Sequence, residues 1–99
     1  MPKINWTKEA EHWIEEIYDY IATDNPEAAA SIIDLIYEKV QLLKKFPNMG
    51  FRYLPIQERN IRIILLGHYR IAYLIKENDE IDILGVFHGA MEIERYLEM

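Results

Sequence analysis

No cysteine occurs among the 99 residues, which excludes a disulfide scaffold, a thiol nucleophile and any Cys-ligated zinc or iron–sulfur centre. A reducing, cytoplasmic setting is expected. Glycine and proline are scarce, four of each, and with half the residues hydrophobic the chain stands apart from disordered and low-complexity classes. No stretch approaches the ~20 uninterrupted apolar residues of a membrane span, and Met1-Pro2-Lys3-Ile4-Asn5-Trp6 lacks the apolar run of a signal peptide. No membrane association is expected. A Gly-rich phosphate loop, a nucleophile elbow and a paired-carboxylate motif are all missing, and the three histidines have no metal-ligand spacing. Neither a cofactor nor a metal is expected.

Basic charge is also in short supply, with 11 Lys and Arg against 17 Asp and Glu and a net charge of −6. Such a balance argues against an indiscriminate nucleic-acid binder. Its distribution is uneven, because residues 1–49 contain five Lys and no Arg, so every arginine lies in the second half. Between residues 50 and 75, Arg52, Arg59, Arg62 and Arg70 face Glu58 alone. A local basic surface follows from that run despite the acidic total.

The length fits one domain, residues 1–99, of α+β class. Lys3 to Trp6 alternates polar and apolar residues like a short edge or terminal strand. Thr7 supplies an N-cap, Glu9 and Glu11 suit the first helical turn, and Ala10, Trp13, Ile14, Ile17, Tyr18 and Ile21 fall on one stripe. Glu11, Glu15, Glu16 and Asp19 occupy the opposite face. Asn25-Pro26 then opens a second helix predicted to reach Phe46. Its row of Ala29, Ile32, Ile33, Ile36, Val40 and Leu43 is widened by Ala28, Leu35, Leu42 and Phe46, which predicts burial on more than one side. The short connection makes the pair an antiparallel helical hairpin.

Beyond Gly50 the period changes from 3.6 to 2, and strands are predicted over 62–66, 69–76 and 80–88. Tyr69, Ile71, Tyr73 and Ile75 share one face of the middle strand; Arg70, Ala72, Leu74 and Lys76 share the other. A short helix from Ala90 to about Leu97 closes the chain. The whole reads as an N-terminal strand, a long helical hairpin packed on a mostly antiparallel sheet, and a C-terminal helix.

Four separated stretches of this pattern together resemble the RelE/ParE superfamily, the toxins of type II toxin–antitoxin systems. They are 16–22 with Asn25-Pro26-Glu27-Ala28-Ala29, then 43–50, then His68-Tyr69-Arg70-Ile71-Ala72-Tyr73, and finally 83–90. The resemblance implies a toxin neutralised by a cognate antitoxin protein. Two mechanisms are open within it. ParE-like members inhibit DNA gyrase; RelE-like members are ribosome-dependent endoribonucleases that cleave mRNA. The long hairpin, the Asn-Pro-Glu-Ala turn, the acidic total and the missing lysine pair of the middle strands favour the ParE-like branch. A relative that binds an antitoxin but has lost toxicity is a third possibility.

Arg70 is the leading functional candidate, since an arginine in a strand centre is expensive to bury and its planar fork suits phosphate or carboxylate. The competing structural role is a cross-strand pair with Asp82. Arg52 and Arg62 are expected to converge with Arg70 on one target-binding surface. In a ribonuclease, His88 would be the general acid or base, Arg70 would stabilise the phosphate charge, and Tyr96 would stack on a base or accept a proton. The alternatives are a turn-fixing role for His88 and helix packing for Tyr96. Glu58 is the nearest carboxylate, without a motif behind it, and His12 and His68 read as isolated.

Overall fold

The computed structural model describes residues 2–89 and Leu97. A three-residue strand, β1 (Ile4–Trp6), leads into α1 (Lys8–Ala22) and α2 (Pro26–Gln41), followed by a 3₁₀ turn (Leu42–Lys44). Strands β2 (Phe51–Arg52), β3 (Ile61–Leu66), β4 (Tyr69–Ile75) and β5 (Ile81–His88) complete a five-stranded sheet of order β1-β5-β4-β3-β2. Only β1 runs parallel to its neighbour, β5; the other pairings are antiparallel. The α+β expectation therefore holds. The expected C-terminal helix and Tyr96 lie outside the described residues, Leu97 excepted.

Local chemistry accounts for the helix starts. The Thr7 hydroxyl accepts the Ala10 N–H at 3.1 Å and donates to the Ile83 carbonyl at 2.7 Å, so one side chain both caps α1 and ties it to β5. Asn25 caps α2 through the Ala28 N–H, also at 3.1 Å, with Pro26 at the first helical position. The α-helical part of α2 ends five residues before the expected Phe46. Pro47 disfavours helical geometry in the residue before it, and the last turn tightens, with the Lys45 N–H bonded to the Leu42 carbonyl at 3.1 Å.

Both faces of the sheet are covered. On the helical side Ala10, Ile14, Ile36, Val40 and Leu43 pack on Ile64, Ile71, Tyr73, Ile81, Ile83 and Val86. On the other side Tyr53 and Leu97 lie with Ile61, Ile63, Ala72, Leu74 and Phe87. The predicted division of β4 into two faces is observed. The expected burial of α2 on more than one side is only partly observed: among the described residues it packs against α1 and the sheet. Leu35, Leu42 and Phe46 are left exposed.

An irregularity in β5 decides which side its end faces. Tyr73 is opposite Ile83 and Ala72 is opposite Gly85, so Leu84 is an extra residue without a cross-strand counterpart. Such a bulge reverses the alternation. Ile81 and Ile83 point to the helices, and beyond the bulge Val86 does so as well. His88 then shares the side of Val86.

The segment between α2 and β2 is held from inside the sheet. The buried Tyr73 hydroxyl donates to the Pro47 carbonyl at 2.7 Å and accepts the Gly50 N–H at 3.0 Å. Arg62 closes the arrangement by donating to the Gly50 carbonyl at 2.7 Å. Burial pushes the phenol above its usual pKa, while the Gly50 N–H and the Arg62 charge pull it back. Gly50 has no room for a side chain, since a Cβ there would stand 2.8 Å from both the Ile63 carbonyl and the Tyr73 hydroxyl. Tyr73→Phe leaves the buried Gly50 N–H without its acceptor and is expected to cost about 1–3 kcal/mol, measured by urea unfolding with an unchanged slope.

At the opposite edge, Asn5 sets the register of β1 by donating to Glu80 at 2.8 Å and Asp82 at 2.9 Å. The Asn5 amide, helped by Lys76 and Lys3, holds the Glu80 carboxyl below its usual value of 4.5, against partial desolvation and the Asp82 charge. A depressed folded pKa contributes stability that is complete above the unfolded value and is lost as pH falls through the folded one. Unfolding free energy is therefore expected to decline as pH drops below about 4.5, and Asn5→Ala should flatten that decline when melting is followed between pH 6 and pH 3.

Candidate functional site

Two features bring β4 and β5 to one end of the sheet. Gly67, at φ +57°, and His68 form a two-residue hairpin between Leu66 and Tyr69. The Gly89 N–H then bonds back to the His68 carbonyl at 2.6 Å. Tyr69 is consequently opposite His88, with the rings edge to face at 5.9 Å, and the His68 ring stacks on His88 at 6.2 Å. His68 is not isolated.

His88 opens onto a half-open pocket of about 390 Å³ between α1 and the sheet. Trp13, Glu16, Ile17 and Tyr20 supply one wall and Tyr69, Val86 and His88 the other. The helical wall follows from periodicity, because positions 13, 16, 17 and 20 lie on one face of α1. Trp13 is anchored by an edge-to-face contact with Phe87 at 5.2 Å. Glu16 is bridged to His12 at 3.1 Å across one helical turn, so His12 is not isolated either. Tyr20 stands 83% exposed at the rim.

The arginines do not form the single surface expected of them. Arg52 and Arg62 are neighbours across β2 and β3, but both guanidinium groups bond to the main chain. Arg62 reaches the Asn48 and Gly50 carbonyls, and Arg52 reaches those of Gln57 at 3.0 Å and Arg59 at 3.1 Å. Arg70 pairs with Leu65 and Phe87 on the face away from the helices. Arg62 is opposite Tyr73, three residues along the ladder, which is about 10 Å at ~3.4 Å per residue and on the other face.

Arg70 and His88 are adjacent in the ladder yet address opposite faces, so the cation and the acid–base group expected to share one phosphate do not converge. Arg70 donates instead to the Gly89 carbonyl at 3.3 Å, at the end of β5. Nor is Asp82 its partner. Asp82 is opposite Leu74 and interacts with Asn5 and with Lys76 at 3.5 Å. Glu58 lies elsewhere, in a pocket of about 420 Å³ with Arg52, Arg59 and Lys76. Among the described residues no cluster suits a metal ion, and no helix is long and apolar enough to cross a membrane.

Sequence reasoning missed the pocket residues Trp13, Glu16 and Tyr20, although their spacing contained the signal. The helical periodicity puts Glu16 on the polar face, and it sits where that face meets the apolar stripe. The alternation places Tyr73 on one face of β4 and no more; the role of its buried hydroxyl has no sequence signature, because its partners are main-chain groups 23 and 26 residues away.

Comparison with known proteins agrees with this architecture. The family described as ParE toxin of type II toxin-antitoxin system, parDE, matches residues 4–93. A Sinorhizobium fredii protein named "Putative toxin Y4kP" is 33% identical over 89 residues, 88% of each chain. The solved structure titled "Chromosomal ParDE TA system from P. aeruginosa" superposes with a TM-score of 0.72 at 27% identity, covering 89% of this chain and 96% of that one. The fold alone is shared with a chain of the toxin-antitoxin complex RelBE2 from Mycobacterium tuberculosis, at a TM-score of 0.59 and 19% identity over 89% and 99% of the two chains. With its helical hairpin, its mixed five-stranded sheet and a family match across nearly its full length, this chain belongs to the ParE toxin family, within the RelE/ParE superfamily of type II toxin–antitoxin toxins.

Proposed function

We propose that the chain is a toxin that acts in the cytoplasm by binding and obstructing DNA gyrase, and that a cognate antitoxin silences it. The observation behind this reading is the dispersal of the arginines. Arg52 and Arg62 spend guanidinium donors on main-chain carbonyls, and Arg70 faces away from His88. Cleaving a phosphodiester needs a proton acceptor and a charge stabiliser on the same scissile group. Obstruction of a large target needs neither. Arg70, half-buried on the central strand β4 of an otherwise acidic protein, is the residue assigned to target contact.

The mRNA interferase reading keeps one observation in its favour. His88 opens on a pocket with Tyr69 and Glu16, groups capable of proton transfer. His88→Gln separates the two, since removing a general acid or base costs about 10²–10⁴-fold in rate. A gyrase inhibitor carrying this change is expected to arrest growth and inhibit supercoiling as before; loss of ribosome-dependent mRNA cleavage, with supercoiling never affected, would establish the nuclease instead. Arg70→Ala is expected to abolish growth arrest while the protein still folds and binds antitoxin, and Arg70→Lys to be intermediate because it keeps charge without the bidentate fork. An Arg70→Ala protein that folds and still arrests growth removes this residue from the target surface.

Antitoxin binding is assigned to the groove between hairpin and sheet, where the pocket beside His88 lies. A disordered partner segment folding there as an amphipathic helix would cover apolar surface that the fold alone leaves in water. At an antitoxin concentration a hundredfold above Kd, stability is expected to rise by about 2.7 kcal/mol, read as an increased Tm. If no product of a neighbouring gene raises the Tm, the antitoxin assignment fails.

A further inference from the structure

From the pocket between α1 and the sheet we infer that it receives a basic side chain, arginine or lysine, presented by the antitoxin segment, with Glu16 as its counter-charge. This inference rests on the antitoxin reading given above and specifies the chemistry of that contact. Trp13, Tyr20 and Tyr69 provide three aromatic walls, and Glu16 provides a carboxylate at the same opening. Aromatic rings beside a single acid form the kind of cavity that attracts an organic cation, through the ring quadrupole and a charge-assisted hydrogen bond.

Three further observations agree. Among the described residues the lining contains no lysine or arginine. The helix that supplies Glu16 also bears Glu9, Glu11, Glu15 and Asp19 against Lys8 alone, in a chain of net charge −6, so the field around the opening is negative. Tyr20, at 83% exposure, is the most exposed of the large apolar residues among those described, an aromatic ring that folding by itself gives no reason to keep there. His12 meets one Glu16 oxygen at 3.1 Å. A carboxylate with about four acceptor sites still has capacity for a guanidinium or ammonium group. Ile17 and Val86, lining the same cavity, suit the aliphatic stem of such a side chain.

Affinity of the full-length toxin for its antitoxin, measured by calorimetry, is the first test. Glu16→Gln, which keeps the shape and removes the charge, is expected to weaken binding about tenfold, the scale of one lost charge-assisted hydrogen bond. Glu15→Gln, an identical charge change outside this pocket, should leave affinity within about twofold. Equal losses for the two variants would reduce the effect to the general field and overturn the pocket assignment. An antitoxin that binds wild type and Glu16→Gln alike also overturns it, while leaving the antitoxin reading intact.

The second test needs no antitoxin. N-acetyl-arginine amide and N-acetyl-norleucine amide are titrated against the chain while the Trp13 indole N–H signal is followed by NMR, with Trp6→Phe used for assignment. Arginine amide is expected to shift that signal saturably and to bind at least about fivefold more tightly than norleucine amide, a preference lost in Glu16→Gln. Norleucine amide binding as well as arginine amide, or no response to either, means that the pocket does not select a cation. A cation-selective response with no antitoxin partner found would sink the antitoxin reading and keep only the cation preference of the pocket.

Discussion

One phenol at the centre of β4 joins parts of the chain that are otherwise separate. Tyr73 lies in the sheet, yet its hydroxyl bonds to Pro47 and Gly50, the residues through which the chain leaves the helical hairpin and enters β2. Arg62 completes the arrangement from β3. Polar groups that would be costly to bury singly satisfy one another there. The placement of the hairpin relative to the sheet, and so the groove between them, depends on this junction. It also explains why Arg62, a candidate for target binding by composition, has a structural partner.

The second constraint is the bulge at Leu84. Without it, strand alternation would place His88 on the face opposite Ile81 and Ile83. With it, His88 joins Val86 beneath α1 and becomes part of a pocket with Trp13 and Tyr69. One extra residue thereby separates His88 from Arg70, which stays on the other face. The convergence of Arg70 and His88 expected of a nuclease is not formed, and for a geometric reason.

The exposed apolar surface fits the toxin–antitoxin family to which the chain belongs. Leu35, Leu42 and Phe46 recur at helical spacing on α2 and the turn after it, and among the described residues they stay exposed. In a chain of this size the ratio of surface to core is unfavourable, so residual apolar surface is expected. Its clustering along the hairpin is the part that a partner protein would use.

The amphipathic stripes of α1 and α2, the caps at Thr7 and Asn25, the period-2 strands and the two faces of β4 were all legible in the sequence, because each depends on residues within a few positions of one another. So was the family resemblance, for the same reason: its motifs are local. The positions of the functional side chains were not. Whether Arg52, Arg62 and Arg70 share a surface depends on cross-strand register and on main-chain carbonyls of distant turns. Which way His88 faces depends on one unpaired residue, Leu84, and a bulge has no composition of its own. Glu16 sits at the border of two helix faces, and only the packing of α1 against Tyr69 and Val86 turns that border into a pocket wall. Local chemistry determined the elements; long-range hydrogen bonding and packing decided what they bring together.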